Sequence, residues 1–435
     1  VFRELSKARR RKGLPENTSD ICVLSLHFPP EPTGNAPYVG GLASGLAASG
    51  HHVTAHVGYP HYPEWKIYQG YHGWSTQERR DRVDVRRRRH YVPQPPRGAR
   101  RLLSELSFGL RLVFARWGAP DVVVAVSPSL FSTAVAVTRL RLTPSRPRLI
   151  LWVQDIYSLG VAETGEGGEF VERVTRWVEK YTAGSADRIV VSLKNHADFI
   201  TDELGISASK VKVVRNWTHL APSPAIEPST AKAALGWPTD VTLAVHTGNI
   251  GVKQGLENIV DAARLADETN APVRFILVGD GGERRKVEAY GRGISRLQFV
   301  DPLGDREYRL ALAAADVLVV NEKPGVSSMA LPSKLTAYFD AGRPIVAAAD
   351  PDGITAAEVS TAGAGLVVPG GEPARLLDAV LQLRADPRSA NQYGASGRKY
   401  REKYLGEEHA ISEWDSLIAD VAGQTALPNP PTLES

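Results

Sequence analysis

Short apolar runs recur along the chain at intervals that leave room for a helix between them. "ICVLSLHF" (21–28), "HVTAHVG" (52–58), "DVVVAVS" (121–127), "RLILWVQD" (148–155) and "RIVVS" (188–192) are strand-length and rich in β-branched residues. Between the first two, "YVGGLASGLAASGHH" reads as a helix of small residues ending at Gly50. Most of these runs are continuously apolar rather than alternating, which suits strands covered on both faces. The intervening helices supply that cover, so the pattern predicts a parallel sheet.

A stretch rich in proline, serine and alanine, "THLAPSPAIEPSTAKAALGWPTD" (218–240), then interrupts the rhythm. After it the alternation restarts with "VTLAVHTGN" (241–249), "RFILVGDG" (274–281), "LQFVD" (297–301), "DVLVVNE" (316–322), "PIVAAAD" (344–350) and "GLVVPGG" (365–371). The expected organisation is a tail (1–19), a first α/β domain (20–222) and a linker (223–240). A second α/β domain (241–404), a terminal helix (405–422) and a second tail (423–435) complete it. Both domains read as Rossmann-like. Such sheets bind ligands at the carboxyl ends of their strands, so a shared cleft with hinge closure is expected.

Composition narrows the class. The 435 residues, 43% hydrophobic and 23% charged, fit two soluble domains better than one. No apolar run reaches the roughly 20 residues of a membrane span. The start, "VFRELSKARRRKGLPENTSD", is basic and lacks the apolar core of a secretory signal. Cys22 is the sole cysteine, inside an apolar run, which points to a buried structural thiol and a cytoplasmic setting. The net charge of +4 is uneven: segment 79–116 carries far more arginines than carboxylates. It is either a solvated face or a patch for an anionic membrane or a pyrophosphate-bearing acceptor. Nucleic acid is disfavoured, since no recognition motif accompanies the charge.

Three loops could carry chemistry. "TGNIGVKQG" follows a strand and precedes a helix. Its Gly248, Gly251 and Gly255 would let backbone amides approach an anion, and Lys253 would add a point charge. It is neither a Walker loop nor a GxGxxG, and an ordinary glycine-rich turn remains the alternative. In "NEKPGVSSMALPSKLTAYFDAGRP", Pro332 suits a first helical turn and places Ser333 and Lys334 at the helix entrance. The alternative there is a plain cap with a solvated lysine. The third loop, "HFPPEPTGNAPYVGGLASGL", puts Gly34 and Asn35 at the end of the first strand.

Taken with "WVQD", "VVRNW", "ILVGDGGERRKVE" and "LPSKLTAYFDAGRPIVAAAD", these loops resemble the family 4 glycosyltransferases of the GT-B fold, nearest the colanic-acid and capsule type. The likeness spans about residues 20–420, in the family's motif order. It implies a C-terminal domain holding a nucleoside diphosphate sugar and an N-terminal domain holding the acceptor. Lys253 matches the family lysine on the donor pyrophosphate, and Gly279, Asp280 and Gly281 match its glycine-rich turn near the nucleotide. Gly34 matches the loop beneath the transferring sugar. Gly248 and Asn249 stand where Gly-Arg is usual, so Lys334 is the candidate for the missing phosphate contact.

Other departures bear on the chemistry. Two family glutamates correspond to Met329 and Ala337, and a His-Asp pair reads Gln154-Asp155 here. Asp155 is the expected contact to sugar or acceptor, with helix capping as its alternative. His27, Gln154, Tyr62 and Trp65 are candidates for the acceptor side. The resemblance implies retention at the anomeric carbon, with Lys253 and glycine-loop amides stabilising the departing diphosphate. A metal is not expected; "DPD" (350–352) is only a formal DxD.

Three readings remain: a hexose transferase using a GDP- or UDP-sugar, a sugar-nucleotide epimerase, and a nucleotide-binding protein without catalysis. For the transferase the acceptor is a glycan or a soluble small molecule, through a hydroxyl or a thiol. The basic stretch 97–118 would suit peripheral contact at the inner face of a membrane.

Overall fold

The computed structural model describes residues 18–32, 34–94, 98–143, 146–159, 168–217, 226–325 and 332–423. Most of both expected tails, Met329 and the start of the expected linker lie outside them. The described chain forms two compact units: residues up to Trp217 together with those from Glu407 on, and the residues between.

The first unit holds an eight-stranded sheet. Its strands are β1 (Asp20–Ser25), β2 (His52–Gly58), β3 (Ser75–Arg80), β4 (Val83–Arg88), β5 (Val122–Ser127), β6 (Arg148–Val153), β7 (Arg188–Val191) and β8 (Val211–Val213). They lie in the order β3-β4-β2-β1-β5-β6-β7-β8, parallel throughout except for the antiparallel β3–β4 pair. The main helices α1 (Ala36–Ala48), α2 (Ala99–Val113), α3 (Leu130–Arg141) and α4 (Gly168–Ser185) cover it, followed by the short α5 (Lys194–Asp198).

Alternate residues of β1 serve opposite cores, as the period of two requires. Ile21 and Val23 join α1 residues Val39, Leu42 and Leu46 on one face; Cys22 and Leu24 join Phe108, Leu112, Val137 and Leu140 on the other. Cys22 is buried, and desolvation pushes its thiol up to about 12, as suits a structural thiol.

The arginine-rich segment did not read as sheet, yet β3 and β4 form a hairpin on its edge. Val83 and Val85 alternate inward there, while the arginine run 86–88 that follows masks the pattern. Arg87 is correspondingly not a solvated charge. It is buried, donates to Glu78 and to the Pro29 carbonyl, and lies over the Phe28 and Tyr71 rings.

The second unit contains α6 (Pro228–Leu235), α7 (Glu257–Glu268), α8 (Arg284–Tyr290), α9 (Asp305–Ala314), α10 (Lys334–Ala341), α11 (Ile354–Ala362), α12 (Pro373–Ala385) and α13 (Pro387–Tyr404). Its strands are β9 (Thr242–Thr247), β10 (Val273–Val278), β11 (Leu297–Val300), β12 (Val317–Asn321), β13 (Ile345–Ala348) and β14 (Gly365–Val368). The order β11-β10-β9-β12-β13-β14 is all parallel. That is the 3-2-1-4-5-6 arrangement of a dinucleotide-binding sheet, whose order reverses between β9 and β12. Ligands of such sheets bind at this reversal.

Part of the expected linker belongs to this unit's core. Helix α6 starts on Pro228, ends on the left-handed Gly236, and buries Ala231 and Trp237 with Leu312. Its alanine- and proline-rich composition hid an ordinary capped helix. The last helix, α14 (Glu407–Gly423), packs instead in the first unit, where Trp414, Leu417 and Ile418 lie among α1 and sheet residues.

Candidate active site

The loops after β9 and β12 flank the reversal of the second sheet. The β9 loop continues the sheet for two more bonds: Gly248 N–H donates to the Val278 carbonyl (2.8 Å) and Ile250 N–H to the Asp280 carbonyl (2.9 Å). The expected glycines earn their places by close approach. Gly279 has φ +139°, and a side chain there would run into the Gly248 carbonyl. Beside it, Gly281 leaves no room for a Cβ next to the Ile250 carbonyl and Asn249 Oδ1. The structure therefore brings Gly248, Asn249, Gly279, Asp280 and Gly281 together. Gly248, Asn249 and Asp280 are exposed. Gly279→Ala is expected to break this pairing and lower the melting temperature; calorimetry of the purified variant checks this.

Lys253 lies in the turn Val252–Gln254, and its carbonyl accepts from Lys323 N–H (2.9 Å), tying the β9 loop to the β12 loop. Asn321, at the end of β12, reinforces the tie by donating to the Gln254 and Gly255 carbonyls at 2.7 and 3.0 Å. The Lys253 side chain is exposed. Ser333 stands at the start of α10 as expected, exposed, but its hydroxyl does not cap the helix. Ala337, at the position of a family glutamate, is buried core.

Lys334 is the most perturbed charge on this side. Its Nζ lies 3.0 Å from His246 Nε2, and an alanine Cβ at Gly248 would sit 3.5 Å from it. His246 Nδ1 is 3.0 Å from the Val319 carbonyl, which can only accept, so Nδ1 carries the proton and Nε2 offers Lys334 a lone pair. Desolvation holds His246 far below its usual pKa, and it is neutral. Part of the Lys334 stem stays exposed, but protein surrounds its ammonium. This desolvation brings its pKa down to about 7, with Glu322 opposing. Thr247 N–H donates to Tyr338 Oη (2.8 Å), which fixes the floor beneath.

In the first unit the loop after β1 is organised by Glu31, a residue sequence reading passed over. Its side chain is 1% exposed. Oε2 accepts from His27 Nδ1 (2.8 Å), and Oε1 accepts from the backbone N–H groups of His61 (2.8 Å) and Tyr62 (2.9 Å). Burial opposes the charge, but the His27 bond, the nearby His27 and His61 rings and the His61 amide outweigh it and lower the pKa. His61 Nδ1 donates to the Tyr59 carbonyl (2.9 Å), and burial brings its pKa down to about 4. His27, Glu31 and His61 have metal-ligand spacing, with ligand atoms within 4.8 Å of one another. His27 Nδ1, His61 Nδ1 and both Glu31 oxygens take part in these hydrogen bonds, while His61 Nε2 is buried without a partner.

Around Glu31 the structure gathers the expected His27, Tyr62, Trp65 and Gly34. His27 stacks on His61 (5.1 Å between centroids) and meets Tyr62 edge-on (5.5 Å). Trp65 meets His61 at 5.4 Å, and a Cβ on Gly34 would touch Tyr62. Asn35 precedes α1 without a side-chain cap.

Gln154 and Asp155 follow β6. Gln154 is buried and accepts from Asn216 Nδ2 (2.7 Å), a second partner the sequence did not suggest. Asp155 is exposed, yet enough protein surrounds its carboxylate that desolvation raises its pKa, against His196 and Arg101. The "DPD" turn is closed by Asp352 N–H donating to Asp350 Oδ1 (3.1 Å).

Two α/β units, each built on a largely parallel sheet, with a glycine-rich and lysine-bearing loop at the reversal of the second sheet, have the architecture of the GT-B fold. The chain belongs to the glycosyltransferases: residues 33–217 match the family described as Glycosyl transferase 4-like domain, and residues 242–386 match Glycosyl transferases group 1. It is 32% identical over 340 residues to WcaI of Escherichia coli (strain K12), a glycosyl transferase assigned to colanic acid biosynthesis. That match covers 74% of this chain and 81% of WcaI. Among solved structures it is similar to sucrose-phosphate synthase from Thermosynechococcus elongatus, with TM-score 0.67 and 20% identity over 94% of this chain and all of that one. It is also similar to Anabaena HepE, solved with UDP, with TM-score 0.65 and 15% identity over 92% and 100%. The protein is thus a glycosyltransferase of glycan biosynthesis.

Proposed function

We propose that the enzyme transfers a hexose from a GDP- or UDP-sugar to a hydroxyl of a growing, lipid-borne glycan at the cytoplasmic face of a membrane, with retention of anomeric configuration. The observation that carries the donor half is the enclosed Lys334 ammonium beside Gly248, at the point where the second sheet reverses. A diphosphate there would meet Lys334, the exposed Lys253 and the amides of the β9 loop. Charge building on the leaving phosphate would be stabilised without a metal ion. WcaI supports a glycan acceptor, and HepE with UDP supports a nucleoside diphosphate.

The acceptor half rests on the first unit. His27, Tyr62 and Trp65 offer stacking faces and a hydrogen-bonding ring held by buried Glu31, and Asp155 stands exposed beyond β6. With retention, the leaving phosphate can accept the hydroxyl proton, and Asp155 then orients the hydroxyl.

Titration calorimetry with GDP, UDP, ADP and NAD, in buffer containing EDTA, tests the donor half. One of GDP or UDP is expected to bind at least tenfold tighter than ADP or NAD. Binding of NAD alone, or of none, would overturn the reading.

A further inference from the structure

Exposed large apolar side chains gather on one layer of the first unit. Helices α2, α3 and α4 pack side by side and send Phe108, Leu112, Ala136, Val137 and Ala183 into a common core. Their outer faces carry a second set. On α2 and its end, Leu103, Leu110 and Phe114 recur at i, i+7 and i+11, with exposures of 54, 55 and 83%. Leu142, just past α3, is 79% exposed, and on α4 Phe170 and Trp177 are 73 and 67% exposed. Spacings of seven and eleven residues keep side chains on one side of a helix. Helices α2 and α4 are therefore apolar on both an inner face and an outer stripe, and Leu142 extends the outer apolar surface past the end of α3.

The charge of the layer identifies what would cover it. Across the three helices and their ends stand nine arginines and lysines, six of them exposed, against four carboxylates, of which Glu105 and Glu179 are buried. Arg111 lies over the Trp74 ring at 5.4 Å, and that ring is itself 74% exposed. Arg100 flanks the α2 stripe, and Arg173 and Lys180 flank that of α4. Long cationic stems lie along apolar surface with their heads outward, and tryptophan seats at the headgroup level of a bilayer. Scattered apolar tips among one sign of charge suit an anionic lipid surface, which attracts clustered lysines and arginines. A protein interface would more commonly deplete charge at its centre. Among the described residues no helix is long and apolar enough to span a bilayer, so contact would be peripheral.

We propose that the outer face of α2, α3 and α4 is the surface on which the enzyme lies against an anionic membrane. It extends the lipid-borne acceptor of the proposed function, but its test needs neither donor nor acceptor.

The test is co-sedimentation of the full chain with vesicles of phosphatidylcholine alone or with 30% phosphatidylglycerol. Binding is expected only to the anionic vesicles, reduced in 0.5 M salt. It should fall at least tenfold in Phe114→Ser/Trp177→Ser, whose residues are exposed and tolerate the change. Equal binding by that variant, or no binding to anionic vesicles, would overturn the proposal. So would a parent dimer that the variant dissolves, since the face would then belong to a second protein copy. Nucleotide binding by the same variant is expected to be unchanged; its loss in the parent too would count against the transfer reading, not against the membrane face.

Discussion

Lys334→Met is expected to weaken GDP or UDP binding by about two orders of magnitude while the protein stays folded. Removing one partner of an enclosed charge pair costs about 3 kcal/mol, a little over a hundredfold in Kd. Methionine keeps the length of the stem and imposes no charge in a desolvated place, so the fold should tolerate it. The pH dependence follows from the same environment. With its pKa near 7, Lys334 is half protonated in the empty site at neutral pH, and His246 beside it stays neutral. A bound diphosphate would favour the ammonium, so binding takes up a proton. Affinity should fall about tenfold per pH unit above 7 until the bound-state pKa is reached.

Stability runs in the opposite direction. The unfolded lysine titrates at 10.5, so between pH 7 and 10.5 the unfolded chain holds the extra proton, and the Lys334 contribution to stability rises with pH. The melting temperature gained on Lys334→Met should therefore be larger at pH 7 than at pH 9. Calorimetric titration in two buffers of different ionisation enthalpy, with thermal melts at both pH values, checks the set. An unchanged Kd in a folded variant would remove Lys334 from the donor site.

Glu31→Ala should produce the largest loss of stability of any single change in the first unit's loops. It would strand three donors at once: the His61 and Tyr62 amides and His27 Nδ1. An orphaned buried donor costs about 1–3 kcal/mol, so the three together cost about 3–9 kcal/mol, a large share of what a domain possesses. Glu31→Gln keeps the shape and one acceptor and should lose about half as much. The carboxylate's lowered pKa fixes the sign of its pH effect. Its contribution is full above the unfolded value of 4.5 and is lost progressively as pH falls from there through the lower folded value. Thermal melts of parent, Gln and Ala variants between pH 3 and 7 would show this. If Glu31→Ala melts like the parent at pH 7, the loop does not depend on this carboxylate.

What could be foreseen from the residues alone follows from the range of the forces involved. All eleven expected strands are present, because a buried parallel strand writes itself as a local apolar run. Nine of them were read too long at their carboxyl ends, where loop residues such as those of "GDG" extend the run past the last ladder bond, whereas β2 and β5 end where expected. Strand β4 escaped because three consecutive arginines fill its second half, and whether an arginine lies buried like Arg87 depends on partners such as Glu78 and Phe28. The glycines of the donor loop were legible, since close backbone approach leaves a compositional mark. Glu31 was not: nothing in "HFPPEP" tells that two amides thirty residues on will close over it. Nor could the Lys334–His246 contact be read, as its partners lie 88 residues apart on different elements.

The return of α14 to the first unit has a consequence for the order in which the protein can be completed. The second unit is one uninterrupted stretch, finished when Gly406 emerges from the ribosome. The first unit, although translated first, must wait with an open face along α1 until Trp414 arrives to pack against Trp152 and close that core. The later-made unit can thus fold before the earlier one is whole, reversing the usual N-to-C order of domain folding. During synthesis the exposed strip beside α1 is the place where a chaperone would be needed.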